Sequence, residues 1–305
     1  MANRKRKGRD ISGWLCLDKA VGQTSTAAVG SVKRLFDAAK VGHAGTLDPL
    51  ASGILPIAFG GATKTVPFVQ DSRKLYRFTV QWGTETDTDD SDGTVVETSD
   101  LRPDRAAIEA RLGDFLGEIM QRPPAFSAIK IAGARAYDLA RDGETVEIDE
   151  RPVVIHRFEL TEVPDADHAV FEAECGKGTY VRALARDMGR KLGALGHVVA
   201  LRRLAVGPFT EATAITIADV IKAREEGPAS SLDRFLLPIA TALGDLPEVV
   251  VGQRDAAEIM RGGSVLVRGN DLPIAGSAQA TVAGRTIAIG EIEHGEFHPR
   301  RVFRA

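Results

Sequence analysis

The segment Gly42-His43-Ala44-Gly45-Thr46-Leu47-Asp48-Pro49-Leu50-Ala51-Ser52-Gly53 constrains the chain more than any other. Gly42, Gly45 and Gly53 allow turns and close backbone approaches that a Cβ would block. Pro49 turns the residue before it, Asp48, away from helical geometry and toward an extended one. A lone carboxylate is therefore held on a stiffened, non-helical loop, from which a single anionic oxygen can be aimed. Composition alone fits a glycine-rich turn with a capping aspartate equally well. The loop runs directly into Ile54-Leu55-Pro56-Ile57-Ala58-Phe59 and then Gly60-Gly61-Ala62-Thr63-Lys64.

A chain of 305 residues, 44% of them hydrophobic, is long enough for one large domain and a small one. No stretch approaches the roughly 18 apolar residues that read as a membrane span. Residues 1–10 form a basic arm through Arg4, Lys5, Arg6, Lys7 and Arg9, with no signal-peptide core after it, so a cytoplasmic protein is expected. Cys16 and Cys175 are far apart and outside any C-x-x-C arrangement, which implies neither a disulfide framework nor a zinc site. The histidines form no supported ligand pair, and no metal is expected. A formal net charge of −3 argues against a protein that coats nucleic acid indiscriminately. The charge is uneven: Arg300, Arg301 and Arg304 lie near the end, and Glu85, Asp87, Asp89, Asp90 and Asp92 form an acidic block. Basic ends suit phosphate contact or a solvated tail alike.

Coarse patterning gives a strand at Trp14–Lys19, then a helix capped by Ser25 with Ala27, Val29, Val32, Leu35 and Phe36 at helical spacing. A short helix over Thr63–Val69 and a strand over Leu75–Trp82 follow. Pro103-Asp104 opens a helix through Ile108, Leu112 and Phe115. A short strand is expected over Ser127–Ile131 and a helix over Ala134–Arg141. Val153–Leu160 and Ala169–Cys175 read as strands, and Gly176-Lys177-Gly178-Thr179 opens a helix over Tyr180–Leu192. That helix carries Val181, Leu184, Ala185 and Met188 on one face. Strands and helices mix without the regular alternation of a doubly wound sheet. Near Pro247 the texture shifts to a short helix, Asp255–Met260, and glycine-rich strands, which places a small β domain at 247–305 after a larger one at 11–246.

Three further segments carry side chains suited to chemistry. Lys74-Leu75-Tyr76 puts an aromatic ring mid-strand, where a half-buried sheet residue or a base-stacking platform both fit. Gly178-Thr179-Tyr180-Val181-Arg182 puts an arginine at a strand-to-helix junction. A guanidinium beside a carboxylate favours its ionised form, whereas burial alone opposes it. Asp90-Ser91-Asp92-Gly93-Thr94-Val95 has the form of the nucleophile motif of haloacid-dehalogenase-like phosphohydrolases, which would make Asp90 and Asp92 the working carboxylates with magnesium. Such motifs end a buried apolar strand, and residues 83–89 here contain no hydrophobic residue. An EF-hand fails because Thr88 and Ser99 fall at ligand positions one and twelve. A Walker A loop fails at Gly60-Gly61-Ala62-Thr63-Lys64-Thr65, where no glycine precedes the lysine.

Together these segments resemble the TruB family of tRNA pseudouridine-55 synthases over about residues 11–210. The matching motifs are G-H-x-G-T-L-D-P-x-A-x-G, G-x-A-T-K, K-x-Y, T-D-T-x-D-x-x-G and G-T-Y-[IV]-R, in order. The resemblance implies an α+β fold: a mixed, largely antiparallel sheet with flanking helices and a central cleft, plus a C-terminal PUA-like β domain that holds RNA. It implies isomerisation of uridine 55 in the T-loop of tRNA, with tRNA as partner, no cofactor and no obligate protein partner. Asp48 would be the catalyst, attacking C1′ or taking a proton from the 2′ carbon. Tyr76 would stack on the flipped base, and Arg182 would hold Asp48 ionised. His43, Lys19, Lys64, Lys130 and Tyr180 would contact RNA. Ala20 and Phe126 depart from the family's usual proline and tyrosine, which touches RNA contact and not the chemistry. A non-catalytic tRNA binder on the same fold is the alternative from a different class.

Overall fold

A computed structural model describes residues 8–127, 130–131, 134–135, 148–267 and 275–303. The main sheet is built from β1 (Gly13–Lys19), β2 (Val41–His43), β3 (Ala51–Phe59), β4 (Lys74–Trp82), β5 (Gly117–Gln121), β6 (Arg151–Glu162), β7 (His168–Cys175), β8 (Gly196–Val206), β9 (Phe209–Thr210) and β10 (Ile215–Thr216). Its order is β10-β1-β3-β8-β4-β7-β6-β5, with β2 added to β3 and β9 to β8. Within this sheet, among the described residues, β1/β10 and β3/β8 pair in parallel and the other pairings are antiparallel. The fold is α+β with a mixed, largely antiparallel sheet.

Helices cover this sheet: α1 (Ser25–Leu35), α2 (Val66–Asp71), α3 (Arg105–Leu112), α4 (Val181–Leu192) and α5 (Ile217–Glu226). One core joins Leu184, Ala185 and Met188 of α4 and Ile108 of α3 to Phe78, Val80, Trp82, Phe158 and Phe171 of the strands. Another joins Val32 and Phe36 to Leu15, Leu17, Leu55, Ile57 and Phe59, with Val220 of α5. Each fully buried large apolar side chain contributes about 1.5–3 kcal/mol, so the aromatic-rich first core carries much of the stability.

Several expectations need correction. Thr24 caps α1, accepting from the Ala27 amide at 3.1 Å, and Ser25 is freed for another task. The glycine-rich segment is a loop only over 44–50, since its ends belong to β2 and β3. Gly42 sits in β2 with open space beside it and needs no special backbone, whereas Gly53 has φ +102°. A Cβ there would stand 2.2 Å from the Arg203 carbonyl oxygen, so only glycine lets β3 close on β8. Residues 60–71 form a 3₁₀ turn at Gly60–Lys64 and then α2, not one helix. Ala134–Arg135 is a two-residue strand paired with Lys130–Ile131, and the rest of the helix expected there lies outside the described residues. Arg4, Lys5, Arg6 and Lys7 also lie outside them. Arg9, expected in the basic arm, is tied to Asp233 at 2.5 Å and to the Asp37 carbonyl through its own amide.

The C-terminal part is a second sheet of β11 (Glu248–Val250), β12 (Val265–Leu266), β13 (Gly276–Val282), β14 (Arg285–Glu293) and β15 (Glu296–Val302), ordered β11-β13-β14-β15-β12, with α6 (Gln253–Met260) against it. It docks on the first part through Leu243, Ile289 and Phe303 and through the Gln279 amide, which donates to the Leu243 carbonyl at 3.1 Å. No helix among the described residues is long and apolar enough to cross a membrane.

Candidate active site

Asp48 lies in the loop between β2 and β3, and that loop is pinned at nearly every residue. The Ala44 amide donates to the Pro56 carbonyl at 3.0 Å. Ser25 clamps Leu47 from α1, its hydroxyl accepting from the Leu47 amide and donating to the Leu47 carbonyl, both at 2.9 Å. The Gly22 amide donates to the Pro49 carbonyl at 2.7 Å. Arg203 of β8 reaches the carbonyls of Gly45 and Thr46 at 3.3 and 3.2 Å. The carboxylate is thus presented from a fixed backbone.

Arg182, in the first turn of α4, lies 2.9 Å from Asp48 Oδ2. Its side chain is 6% exposed and that of Asp48 36%, so the carboxylate opens to the cleft while its partner does not. A buried guanidinium is costly unless its donors are used. Here they also serve Asp90 Oδ2 at 3.2 Å and the carbonyls of Thr88 and Phe126 at 2.8 and 3.0 Å. At Phe126 the backbone carbonyl makes this contact, so the missing tyrosine hydroxyl leaves it intact. Gln121 of β5 fixes the start of α4, accepting from the Tyr180 amide at 2.9 Å and donating to its carbonyl at 3.1 Å.

Asp48, Tyr76, Tyr180 and Arg182 line one cavity of about 320 Å³, together with Lys74, Ser127, Leu201 and Arg203. That is the lower end of the range for small-ligand sites. Tyr76 stands on β4, directly opposite Arg203 in the β8 register. Burial raises the Tyr76 phenol above its ordinary pKa, and the Arg203 charge opposes that. Burial likewise raises the Tyr180 phenol. Both rings face the cavity as neutral phenols. Lys74 donates to the carbonyls of Gln70 and Ser72, and burial lowers it to about 8.

Other residues singled out in the sequence sit elsewhere. His43 is half-buried on β2 and does not line the cavity; burial lowers its pKa and favours the neutral ring. Lys19 is 1% exposed and donates inward to the carbonyls of Ala20 and Gln23 at 2.9 and 2.7 Å. Burial lowers its pKa to about 8. Lys64 is exposed at the junction with the second sheet, donating to the Val302 carbonyl at 2.5 Å, with Phe303 5.7 Å away. Lys130 belongs to a two-residue strand, and its side chain lies outside the description.

The acidic block has a structural partner that its spacing on the chain conceals. Arg182, Arg186 and Arg190 lie four apart on α4 and meet Asp90, Asp89 and Glu85 in turn, the last two pairs at 2.9 and 2.6 Å. Asp90 is buried, accepting from the Thr88 hydroxyl at 2.6 Å and the Asp92 amide at 3.1 Å. A carboxylate so occupied is poorly placed as a phosphoryl-accepting nucleophile, and the phosphohydrolase reading is not favoured. Ser25, Gln121 and Arg203 are the contributors that sequence reasoning missed.

Residues 33–181 match the TruB family pseudouridylate synthase N-terminal domain, and residues 182–244 the tRNA pseudouridylate synthase B C-terminal domain. The tRNA pseudouridine synthase B of Bradyrhizobium diazoefficiens is 59% identical, over 98% of this chain and 88% of that protein. The chain belongs to the TruB family. The tRNA pseudouridine synthase B of Agrobacterium fabrum, 57% identical over 99% of this chain and 97% of its own, is a further TruB-family relative. The structure of an H/ACA RNP bound to a substrate RNA containing 2′-deoxyuridine shares the TruB fold, with a TM-score of 0.74 at 22% identity over 100% of this chain and 91% of that one.

Proposed function

We propose that this TruB-family enzyme isomerises uridine 55 in the T-loop of tRNA to pseudouridine. The observation that carries the reading is the half-exposed Asp48 carboxylate, 2.9 Å from the buried Arg182 guanidinium, in a cavity that also holds Tyr76. Two relatives more than half identical to this chain, over nearly its whole length, bear the name tRNA pseudouridine synthase B. A base must leave its stack to reach a carboxylate at this depth, and a structured loop with splayed bases lowers that cost.

In this reading Asp48 acts on the ribose, at C1′ or at the hydrogen of C2′, and the N1–C1′ bond breaks. The uracil turns, C5 bonds to C1′, the C5 proton leaves and N1 takes up a proton, so the product is an isomer. Arg182 holds the Asp48 carboxylate in place through their ion pair. Tyr76 stacks on the base, and Tyr180, which lines the same cavity, contacts the RNA. His43 contacts RNA outside the cavity, and Lys19 shapes the turn against Pro49. Residues 247–305 act as a PUA-like RNA-holding domain whose position Lys64 helps to set. Lys130 contributes to RNA contact.

The test is tritium release from C5-labelled uridine in unmodified tRNA, with parent and Asp48→Ala proteins. One equivalent released per tRNA by the parent and none by the variant is the expected result. Tight tRNA binding without release from the parent would instead make the chain a tRNA binder that lacks the chemistry.

A further inference from the structure

Arg203, 1% exposed on β8, is the most deeply buried of the cations that line the cavity. An arginine does not shed its proton inside a protein, so this charge is permanent. No carboxylate among the described residues lies within ion-pair distance of it, unlike Arg182, Arg186 and Arg190. Its donors go to neutral oxygens. Nε donates to the Ile54 carbonyl at 2.8 Å, and the two terminal nitrogens to Thr46 and Gly45 at 3.2 and 3.3 Å. Tyr76 is its cross-strand partner and lines the same cavity, and the Arg203 charge opposes the burial that raises the Tyr76 phenol.

These partners fall into two groups. Gly45 and Thr46 precede Asp48 in the loop and Ile54 follows it on β3, while Tyr76 stands on the neighbouring strand, in register with Arg203. We propose that Arg203 is a positioning residue whose single planar guanidinium fixes the loop that carries Asp48 relative to the Tyr76 ring. The assignment rests on the proposed reaction, in which the two side chains act on one nucleotide and their separation must be held. A rigid fork suits that task, because one plane ties two elements with little freedom left in between. A lysine gathers its donors on a single nitrogen and cannot span both sides. An apolar side chain would spare the cost of a buried charge but bind neither. Arg203 lines the cavity beside Tyr76, Lys74 and Asp48.

The experiment compares parent, Arg203→Lys and Arg203→Gln enzymes in single-turnover tritium release at saturating tRNA, beside direct tRNA binding. The chain has three tyrosines, so 3-fluorotyrosine labelling gives a readable fluorine NMR spectrum, with Tyr76→Phe assigning the resonance of interest. Arg203→Lys should cut the turnover rate by about 100-fold, the usual effect of a misplacement near 1 Å, with tRNA affinity unchanged. The residue-76 fluorine resonance should move, and in Arg203→Gln its phenol should titrate at higher pH. Unchanged turnover, or rate and affinity falling together with an unmoved resonance, would overturn the assignment. Failure of both variants to fold would also overturn it, making Arg203 a folding residue. A parent that releases no tritium removes the proposed reaction instead, while the fluorine spectrum still reads the Arg203–Tyr76 link.

Discussion

Arg182 Nη2 stands 2.9 Å from Asp48 Oδ2, and the second terminal nitrogen of the same guanidinium stands 3.2 Å from Asp90 Oδ2. One buried cation therefore answers two carboxylates, one opening to the cleft and one closed off. Asp48→Asn should abolish turnover and leave tRNA binding intact. Arg182→Lys keeps a charge but not the fork, and should lower turnover by about 100-fold or more. Arg182→Met leaves Asp90 buried without its cation and should cost about 3–5 kcal/mol of stability. Tritium release and urea denaturation of the three variants separate these effects. Arg182→Lys retaining parental turnover would remove Arg182 from the mechanism.

Ser25 and Thr24 are adjacent hydroxyl residues with different work. Thr24 caps α1, and its loss to alanine should cost about 1 kcal/mol, as for exposed caps generally. Ser25 is buried, and its loss leaves the Leu47 amide and carbonyl without their partner. Ser25→Ala should therefore cost about 1–3 kcal/mol and also slow turnover, because Leu47 neighbours Asp48. Denaturation midpoints together with single-turnover rates check this. Thr24→Ala slowing the reaction as much as Ser25→Ala would show that the clamp has no special role.

The same pair shows how far the sequence could be read. Both hydroxyl residues advertise a helix start, and nothing local says which one caps and which one reaches twenty-two positions along the chain. The strand around Tyr76 and α4 were legible because alternating and helical apolar patterns suffice there. The strand Gly196–Val206 was not recognised, although it lies at the centre of the sheet. Its apolar run is broken by Arg202-Arg203, and burial of an arginine is a tertiary outcome that periodicity cannot signal. The Asp48, Tyr76 and Arg182 segments were legible as motifs. Their braces were not, because Gln121, Ser25 and Arg203 act through backbone groups that no spacing encodes. The four-residue spacing of Arg182, Arg186 and Arg190 was present on the chain. It gained meaning only once the fold laid the acidic block against it.

Gly53 and Gly42 give a paired test of the loop's ends. Gly53 has a positive φ and no room for a Cβ against Arg203, whereas Gly42 has open space. Gly53→Ala should destabilise the protein by about 2–5 kcal/mol, combining backbone strain with overpacking. Gly42→Ala should lie within about 1 kcal/mol of the parent. Thermal or urea unfolding decides the matter. Equal tolerance at both positions would mean that β3 does not need its close approach to β8.

Asp89 gives the fold a pH dependence with a definite sign. Burial raises its pKa from 3.8 to about 6, and Arg186 only partly opposes this. A carboxyl group whose folded pKa lies above its unfolded value binds more protons in the folded state between the two. Its contribution is complete below about pH 4 and is lost as pH rises through about 6, with a limiting slope of about 1.4 kcal/mol per pH unit. Asp89→Asn removes this titration and leaves Arg186 bonded to Asp187 and to the Arg122 carbonyl. Stability of the parent minus that of the variant should therefore fall between pH 4 and pH 6.5 and then level off. Urea midpoints taken across that range at fixed ionic strength measure it. A flat or rising difference would mean that Asp89 is ionised throughout, with the Arg186 ion pair outweighing the cost of burial.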